Sequence, residues 1–456
     1  MKRTVFVIFI VLSILILSVS SAEEMNFYRC INTKSEGFQT FKAKHSELIF
    51  SWSDAYYSNA STLSGKLLTN ELHSDLLGFD LSVINEKQII AKGYFLDLSS
   101  SELLSNAIAK MVPAIANAVT VDGKLYGLPD SIAFDYWSVD KTGWEMAGLT
   151  TDQIPRSFPE FLDFLDAWCD RIEEEPESDL RVLNSWDATV YSSSSYTELL
   201  TGILIDNYMM QKDYAGEALV FSEEELLPLL ERAQSIGKRL YEAEPAIQVS
   251  DESCGYSLFT SVTRPIWPED SSLMVSMRIN DDQPQIVRTL VSVMVVNAAT
   301  NLPDECIELL ELMSEYPDRE QYPYLCINGE PVENANYESS VASTKEHIET
   351  TEKKLEQSDL DDDEREELEN DLASYQKVLA SMEDQHYTVS PEQLADYQQH
   401  QDLLYVATPG TFSYGTDGYT NLLNLKKQFS AGLLTPSEYL AQLNRLAEMV
   451  RLEDAS

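Results

Sequence analysis

Aromatic side chains recur beside carboxylates along this chain, a pattern suited to holding a polyhydroxylated ring. Trp52, Asp54 and Tyr56 alternate, Asp135, Tyr136 and Trp137 are consecutive, and Trp186 adjoins Asp187. Arg264 lies just before Trp267, and Asp80 follows Gly78-Phe79. A sugar ring presents an apolar face of C–H groups and a rim of hydroxyls, so aromatic planes with fixed carboxylates, amides or an arginine complement it. Arg264 in so acidic a protein is suited to clamping a carboxylate or a pair of hydroxyls. Each residue also fits a packing role: Trp137 lies in a strand-like run, and Trp186 is large enough to fill a core.

Bond-breaking chemistry finds less support. There is no Gly-x-Ser-x-Gly elbow, no His-Glu-x-x-His, no Walker loop and no dinucleotide glycine fingerprint. The five histidines, His45, His73, His347, His386 and His400, share no ligand-like spacing, and no Cys-x-x-Cys occurs, so neither a metal nor another cofactor is expected. Close carboxylate pairs, the equipment of a glycosidase, arise by chance among 76 acids and identify nothing. A secreted carbohydrate hydrolase therefore stays open as an alternative to a binding protein.

The elements that must position these residues are clearest around Asp122-Gly123-Lys124-Leu125-Tyr126-Gly127-Leu128-Pro129. Asp-Gly is a tight-turn dipeptide, the following residues read as a short strand ended by Pro129, and 134–139 reads as a second strand. Asp140-Lys141 and Trp144-Glu145-Met146-Ala147-Gly148-Leu149 follow. Together these motifs resemble the family 1 extracellular solute-binding proteins, the carbohydrate-type substrate-binding components of ABC importers. The resemblance spans nearly the whole chain after its leader and is strongest over 93–161. It implies an α/β, periplasmic-binding-protein-like (type II) fold of two discontinuous lobes joined by hinge strands, with the solute between them. It places Tyr136 and Trp137 at the hinge mouth and the other aromatic and acidic residues named above on loops facing the cleft. It also implies ABC permease subunits as partners, and no catalytic residue.

Under this reading 26–136 with 256–296 forms lobe 1, and 137–255 with 297–456 forms lobe 2. In lobe 1, 46–53 reads as a first strand, the neighbourhood of Gly78-Phe79-Asp80 as the next, and 101–118 as a helix capped by a serine of 99–101. Residues 157–169 carry Phe158, Phe161, Leu162, Leu165 and Trp168 at helical spacing. The apolar run 290–297 suits a strand buried on both faces. Ser390 and Thr435 each precede a proline and a glutamate, which marks two late helix starts.

Residues 338–385 depart from a plain two-lobe fold. Leu368, Leu372, Tyr375, Leu379 and Met382 form one stripe, and Val341, Ile348 and Leu355 a thinner one, as in an antiparallel helical hairpin inserted in lobe 2. The segment holds sixteen acids and five bases, so its outer surface is solvated. Its acidic tip, 359–364, lacks the glycine and glutamate of a calcium loop, and helix capping accounts for it. An adhesion or scaffold protein that uses this hairpin against a partner is a further alternative.

Lys2 and Arg3 before the apolar run 5–17, then small residues to Ala22, read as a signal peptide over 1–22 and so as an extracytoplasmic protein. No lipobox accompanies Cys30, and a retained anchor also fits a run of this length. Without 1–22 the charge moves from −44 to −46, because only Lys2 and Arg3 are lost. That excludes nucleic acid and anionic lipid as natural partners, and the chain is expected to act as a monomer. Five dispersed cysteines are no disulfide framework, although one bridge among them stays open.

Overall fold

The computed structural model describes residues 23–53, 65–67, 69, 71–82, 90, 92–174, 181–184, 193–243, 257–356, 362–382, 385–408, 412 and 417–454. In chain order the described strands are β1 (Glu24–Tyr28), β2 (Ile49–Ser53), β3 (Leu76–Asp80), β4 (Thr120–Val121), β5 (Lys124–Leu125), β6 (Leu128–Val139), β7 (Arg181–Asn184), β8 (Ser257–Arg264), β9 (Met274–Val275), β10 (Val287–Val296), β11 (Val332–Glu333), β12 (Tyr387–Val389) and β13 (Leu404–Val406). β1 pairs in parallel with both β2 and β3, whereas β10 runs antiparallel between β3 and β6. The order 2-1-3-10-6 continues through β8 to β7, with β13 beside β10 and β9 beside β6.

β6 is the strand on which the molecule turns. Its first part pairs with β10 and its second, from Phe134, with β8. Phe134 is buried in a first hydrophobic core with β1, β3 and β10, while Val139 is buried in a second with β8 and the helix Phe158–Glu174. The expected proline stop is therefore wrong. Pro129 is the second residue of one continuous strand, which it can join because the lost N–H falls beside a register irregularity at Ser292/Val293.

Local sequence explains the entry to this strand and the exit from it. Asp122 and Gly123 both take positive φ, +51° and +75°, the geometry of the tightest hairpin turns, and join β4 to β5. After β6, Asp140 caps the helix Lys141–Met146 by accepting from the Gly143 N–H at 2.9 Å. Gly143 lets that helix close onto β8, since a Cβ there would lie 2.1 Å from the Ser257 carbonyl oxygen. Phe158, Phe161, Leu162, Leu165 and Trp168 are all buried, as their spacing predicts. The single helix expected over 101–118 is two, Glu102–Ile108 and Pro113–Ala118. Ser101 caps the first, and Pro113, which cannot sit inside a helix, starts the second. β1, earlier than any strand read from the sequence, is the innermost of the parallel set.

The assignment of 297–456 to lobe 2 also needs correction. Leu302, Leu309, Tyr324, Leu394, Tyr397 and Leu404 lie in the first core, whereas among the described residues of this stretch those buried in the second come from the last helices, Asp417–Ser430 and Pro436–Asp454. Helical spacing specifies an apolar face and not which core receives it. The hairpin is present as the helices Tyr337–Leu355 and Asp362–Met382, which pack on each other. Thr344 and Thr351 complete the thin stripe between Val341, Ile348 and Leu355. Its base is the β11–β12 ribbon, whose Val332 and Val389 pack on the first core, so it grows from lobe 1. The stretch 359–361 of its tip lies outside the described residues, as does 1–22. No described helix is long and apolar enough to cross a membrane.

Candidate functional site

β1 and β2 end side by side, and in parallel α/β sheets the carboxyl ends of the strands are where ligands are held. Arg29, immediately after β1, takes φ +53°, a left-handed backbone that a side-chain-bearing residue adopts only when its surroundings hold it there. The turn sets Arg29, Cys30 and Asn32 around a hollow of about 430 Å³ that Trp52, Ser53 and Asp130 complete. Trp52 is 43% exposed, large for an aromatic, and its ring leans on Phe27 and Phe38 at centroid distances of 5.6 and 6.0 Å. Its inner edge is thus fixed and its outer part offered to solvent.

A larger cavity of about 1100 Å³ shares Cys30, Asn32 and Asp130 with this hollow. It runs beneath the C-terminal end of the helix Pro303–Glu315 and along 321–332, entirely among elements of the first lobe. Asp130 belongs to both spaces. It falls at the register irregularity between β6 and β10, where Pro129 faces Val293, Ser131 faces Ser292, and Asp130 has no opposite residue. Bulges of this kind re-aim a side chain, commonly beside a functional site. Its Oδ1 has no accessible surface and no hydrogen-bond partner. Burial pushes the carboxyl up to about 7, against the opposing pull of the Asp130 and Ser131 backbone N–H groups and with a smaller push from Asp318. Cys30 is itself raised, first by burial and then by Asp130.

The residues singled out from sequence divide. Trp52 lines the hollow. Asp80 ends β3, and its Oδ1 accepts from the Ser82 N–H at 2.7 Å, a local turn. Asp135 forms an ion pair with Arg288 at 2.9 Å and accepts from Thr263 at 3.4 Å, tying together three strands at the crossover. Tyr136 is partly buried against the first core; burial raises its phenol while the nearby Arg264 pulls it down. Trp137 packs partly against the second core, and Arg264 is exposed at the end of β8. Trp267 is a correction. It is 1% exposed, packs edge-on to Phe134 at 5.1 Å, and donates its indole N–H to Asp396 at 2.6 Å, so it fills the first core. Asp54, Tyr56, Trp186 and Asp187 lie outside the described residues.

Asp130, Arg29 and Asn32 escaped the sequence reading. Asp130 had a usable signal, because it is a lone acid between Leu128-Pro129 and Ile132 in a strand bound for a core. Arg29 and Asn32 had none, because β1 itself went unread. No group of described residues is arranged to hold a metal ion. The four described cysteines, Cys30, Cys169, Cys306 and Cys326, are all buried.

A second polar set bridges the lobes away from the hollow. Tyr405 of β13 donates its hydroxyl to Asp213, at the end of the second-lobe helix Ser193–Tyr214, and Tyr214 donates to the Asp402 carbonyl at 3.1 Å. Gln211 of the same helix donates to the Pro284 carbonyl at 3.1 Å, just ahead of β10.

No protein-family model matches the sequence, and no curated protein does. Solved structures do. The chain resembles the cyclic alpha-maltosyl-1,6-maltose binding protein of Arthrobacter globiformis with a TM-score of 0.52 at 15% identity, covering 94% of this chain and 98% of that one. It resembles an ABC substrate-binding protein of Listeria monocytogenes, solved in complex with cycloalternan, with a TM-score of 0.53 at 10% identity, covering 95% of this chain and 100% of the other. At such identities the likeness establishes the fold: a periplasmic-binding-protein-like α/β architecture across nearly the whole chain.

Proposed function

We propose that this protein is an extracytoplasmic solute-binding protein that takes up a sugar or oligosaccharide between its lobes and presents it to an ABC permease. The observation that carries this reading is the conjunction of a strand shared by two separate cores with a hollow at the carboxyl ends of β1 and β2. Trp52 supplies a plane for the C–H face of a ring, and Arg29, Asn32 and Asp130 supply the donors and acceptors its hydroxyls need. The two structural relatives are named for, or hold, cyclic oligosaccharides, which supports a carbohydrate of several units. No step of this function makes or breaks a covalent bond, so it uses neither a nucleophile nor a cofactor. The apolar leader 1–22 supports export, and the acidic surface supports a soluble partner for a membrane permease.

Closure would proceed by flexing β6 and the segments beside β8 and β10, with the Tyr405–Asp213 contact as one of the bonds that must persist or exchange. Isothermal titration calorimetry against linear and cyclic oligosaccharides tests the reading. A binding isotherm with wild type that weakens about tenfold to hundredfold in a folded Trp52→Ala variant supports it. Absence of heat and of any thermal shift across the panel refutes the carbohydrate assignment.

A further inference from the structure

Exposed apolar side chains scattered singly mean little, but several meet around the larger cavity. Tyr316 is 38% exposed and Ile327 39%, and both line it together with the partly exposed Met313, Pro317 and Tyr322. They stand on backbone that is fixed. The Ile327 N–H donates to the Lys110 carbonyl at 3.0 Å, the Val112 N–H to the Leu325 carbonyl at 2.9 Å, and the Gln401 amide to the Cys326 carbonyl at 3.1 Å. Gly329 lets the chain fold back on itself, since a Cβ there would lie 2.2 Å from the Pro323 carbonyl oxygen. The apolar wall is thus in place before any ligand arrives, so binding orders little more of the chain. Polar side chains of the same cavity are turned to the protein itself. The Ser35 hydroxyl donates to the Asn32 carbonyl at 2.8 Å and that of Ser314 to the Glu311 carbonyl at 2.7 Å. Gln321 accepts from the Ile132 N–H at 3.1 Å and donates to the Pro265 carbonyl at 3.3 Å.

We propose that this cavity is a subsite for an apolar aglycone, an aryl or alkyl group carried on the end of the sugar that lies on Trp52. The assignment rests on the solute-binding reading above and narrows its ligand from carbohydrate in general to a glycoside with an apolar end group. The cavity and the hollow share Cys30, Asn32 and Asp130, so a single solute can occupy both. A further sugar ring would bring hydroxyls to a wall where Pro317 and Ile327 offer no hydrogen bond and where Ser35, Ser314 and Gln321 are already engaged. An aryl or alkyl group has no such need, and it gains in proportion to the apolar surface it removes from water. A free fatty acid fits less well, because the exposed Glu36, Glu315, Asp318 and Glu330 outnumber Lys110 and Arg319 around the same cavity and repel a carboxylate.

The test sets the methyl glycoside of each oligosaccharide against the hexyl and phenyl glycosides of the same sugar and anomer, titrated calorimetrically below micelle-forming concentrations. The expected result is that a hexyl or phenyl member binds wild type about tenfold or more tightly than its methyl partner. The double variant Tyr316→Gln with Ile327→Gln, altered at two exposed positions, should erase that gain and leave the methyl glycoside's affinity within about threefold of wild type. Equal affinities within every set, or a gain that survives in the folded double variant, overturns the proposal. If methyl glycosides bind and apolar aglycones gain nothing, the solute-binding reading stands while the aglycone subsite falls. If no member of any set binds, both fall. Should the double variant not fold, the two single variants carry the comparison: a reduced gain in either supports the subsite, and an undiminished gain in both overturns it.

Discussion

Replacing Asp130 by asparagine keeps the size and shape of the side chain and removes its charge, so the substitution isolates what the buried carboxylate costs the empty protein. The carboxyl is pushed up to about 7 from an ordinary value of 3.8. A carboxyl whose folded value is raised binds protons more tightly in the native than in the unfolded state, so stability is lost as pH rises between the two values. Each pH step of one between them costs about 1.36 kcal/mol, so the penalty is absent below about pH 3.8, is about 2 kcal/mol at pH 5, and reaches about 4 kcal/mol once pH exceeds 7. Asparagine, neutral throughout, escapes it. Asp130→Asn should therefore gain roughly 2–3 kcal/mol over wild type between pH 5 and pH 8.5. Urea unfolding of the ligand-free protein at those two pH values, followed by tryptophan fluorescence, reads the difference directly. A variant-minus-wild-type difference that stays constant with pH would refute the reasoning, because it would mean that the carboxylate is solvated or partnered at all pH values.

Trp267→Phe should lower stability by about 1–3 kcal/mol, since it shrinks a core side chain and takes one donor from Asp396, yet leave solute affinity unchanged; a selective loss of affinity would return Trp267 to the binding surface. Gly143→Ala should destabilise the second lobe by about 1–3 kcal/mol or more, because the new methyl meets the Ser257 carbonyl, and a thermal melt unchanged from wild type would contradict that close approach. Removing 338–385 and closing the β11–β12 ribbon with a two-residue turn should change stability by less than about 1 kcal/mol and leave solute affinity intact, as measured by thermal melts and calorimetry. Loss of a folded product would show that the hairpin supports the first core.

Particular residues show how far sequence carried the fold and the site. Asp122-Gly123 announced a hairpin because few dipeptides accept two successive positive φ values, and both adopt them. The spacing of Phe158, Phe161, Leu162, Leu165 and Trp168 announced a buried helical face, and every one of them is buried. These are local constraints. The destination of 303–325 was not legible, because an apolar face reads identically whichever core it enters, and the chain returned it to the first. Trp267 had the composition of a ligand contact and the location of a core residue, and only the ring of Phe134, Tyr324 and Tyr397 around it tells the two apart.

What the amino-acid order determined by itself was the alternation of strands and helices, the turn ahead of β6, the buried face of the helix Phe158–Glu174 and the acidic two-helix insertion, each encoded within a few neighbouring residues. What only the tertiary structure decided was the site. Arg29, Trp52 and Asp130 are far apart in the chain and meet because β1, β2 and β6 lie in one sheet. The sealed oxygen of Asp130 depends on a bulge against β10, a strand more than 150 residues downstream. Burial and register are properties of the assembled sheet, and the raised titration of Asp130 follows from them.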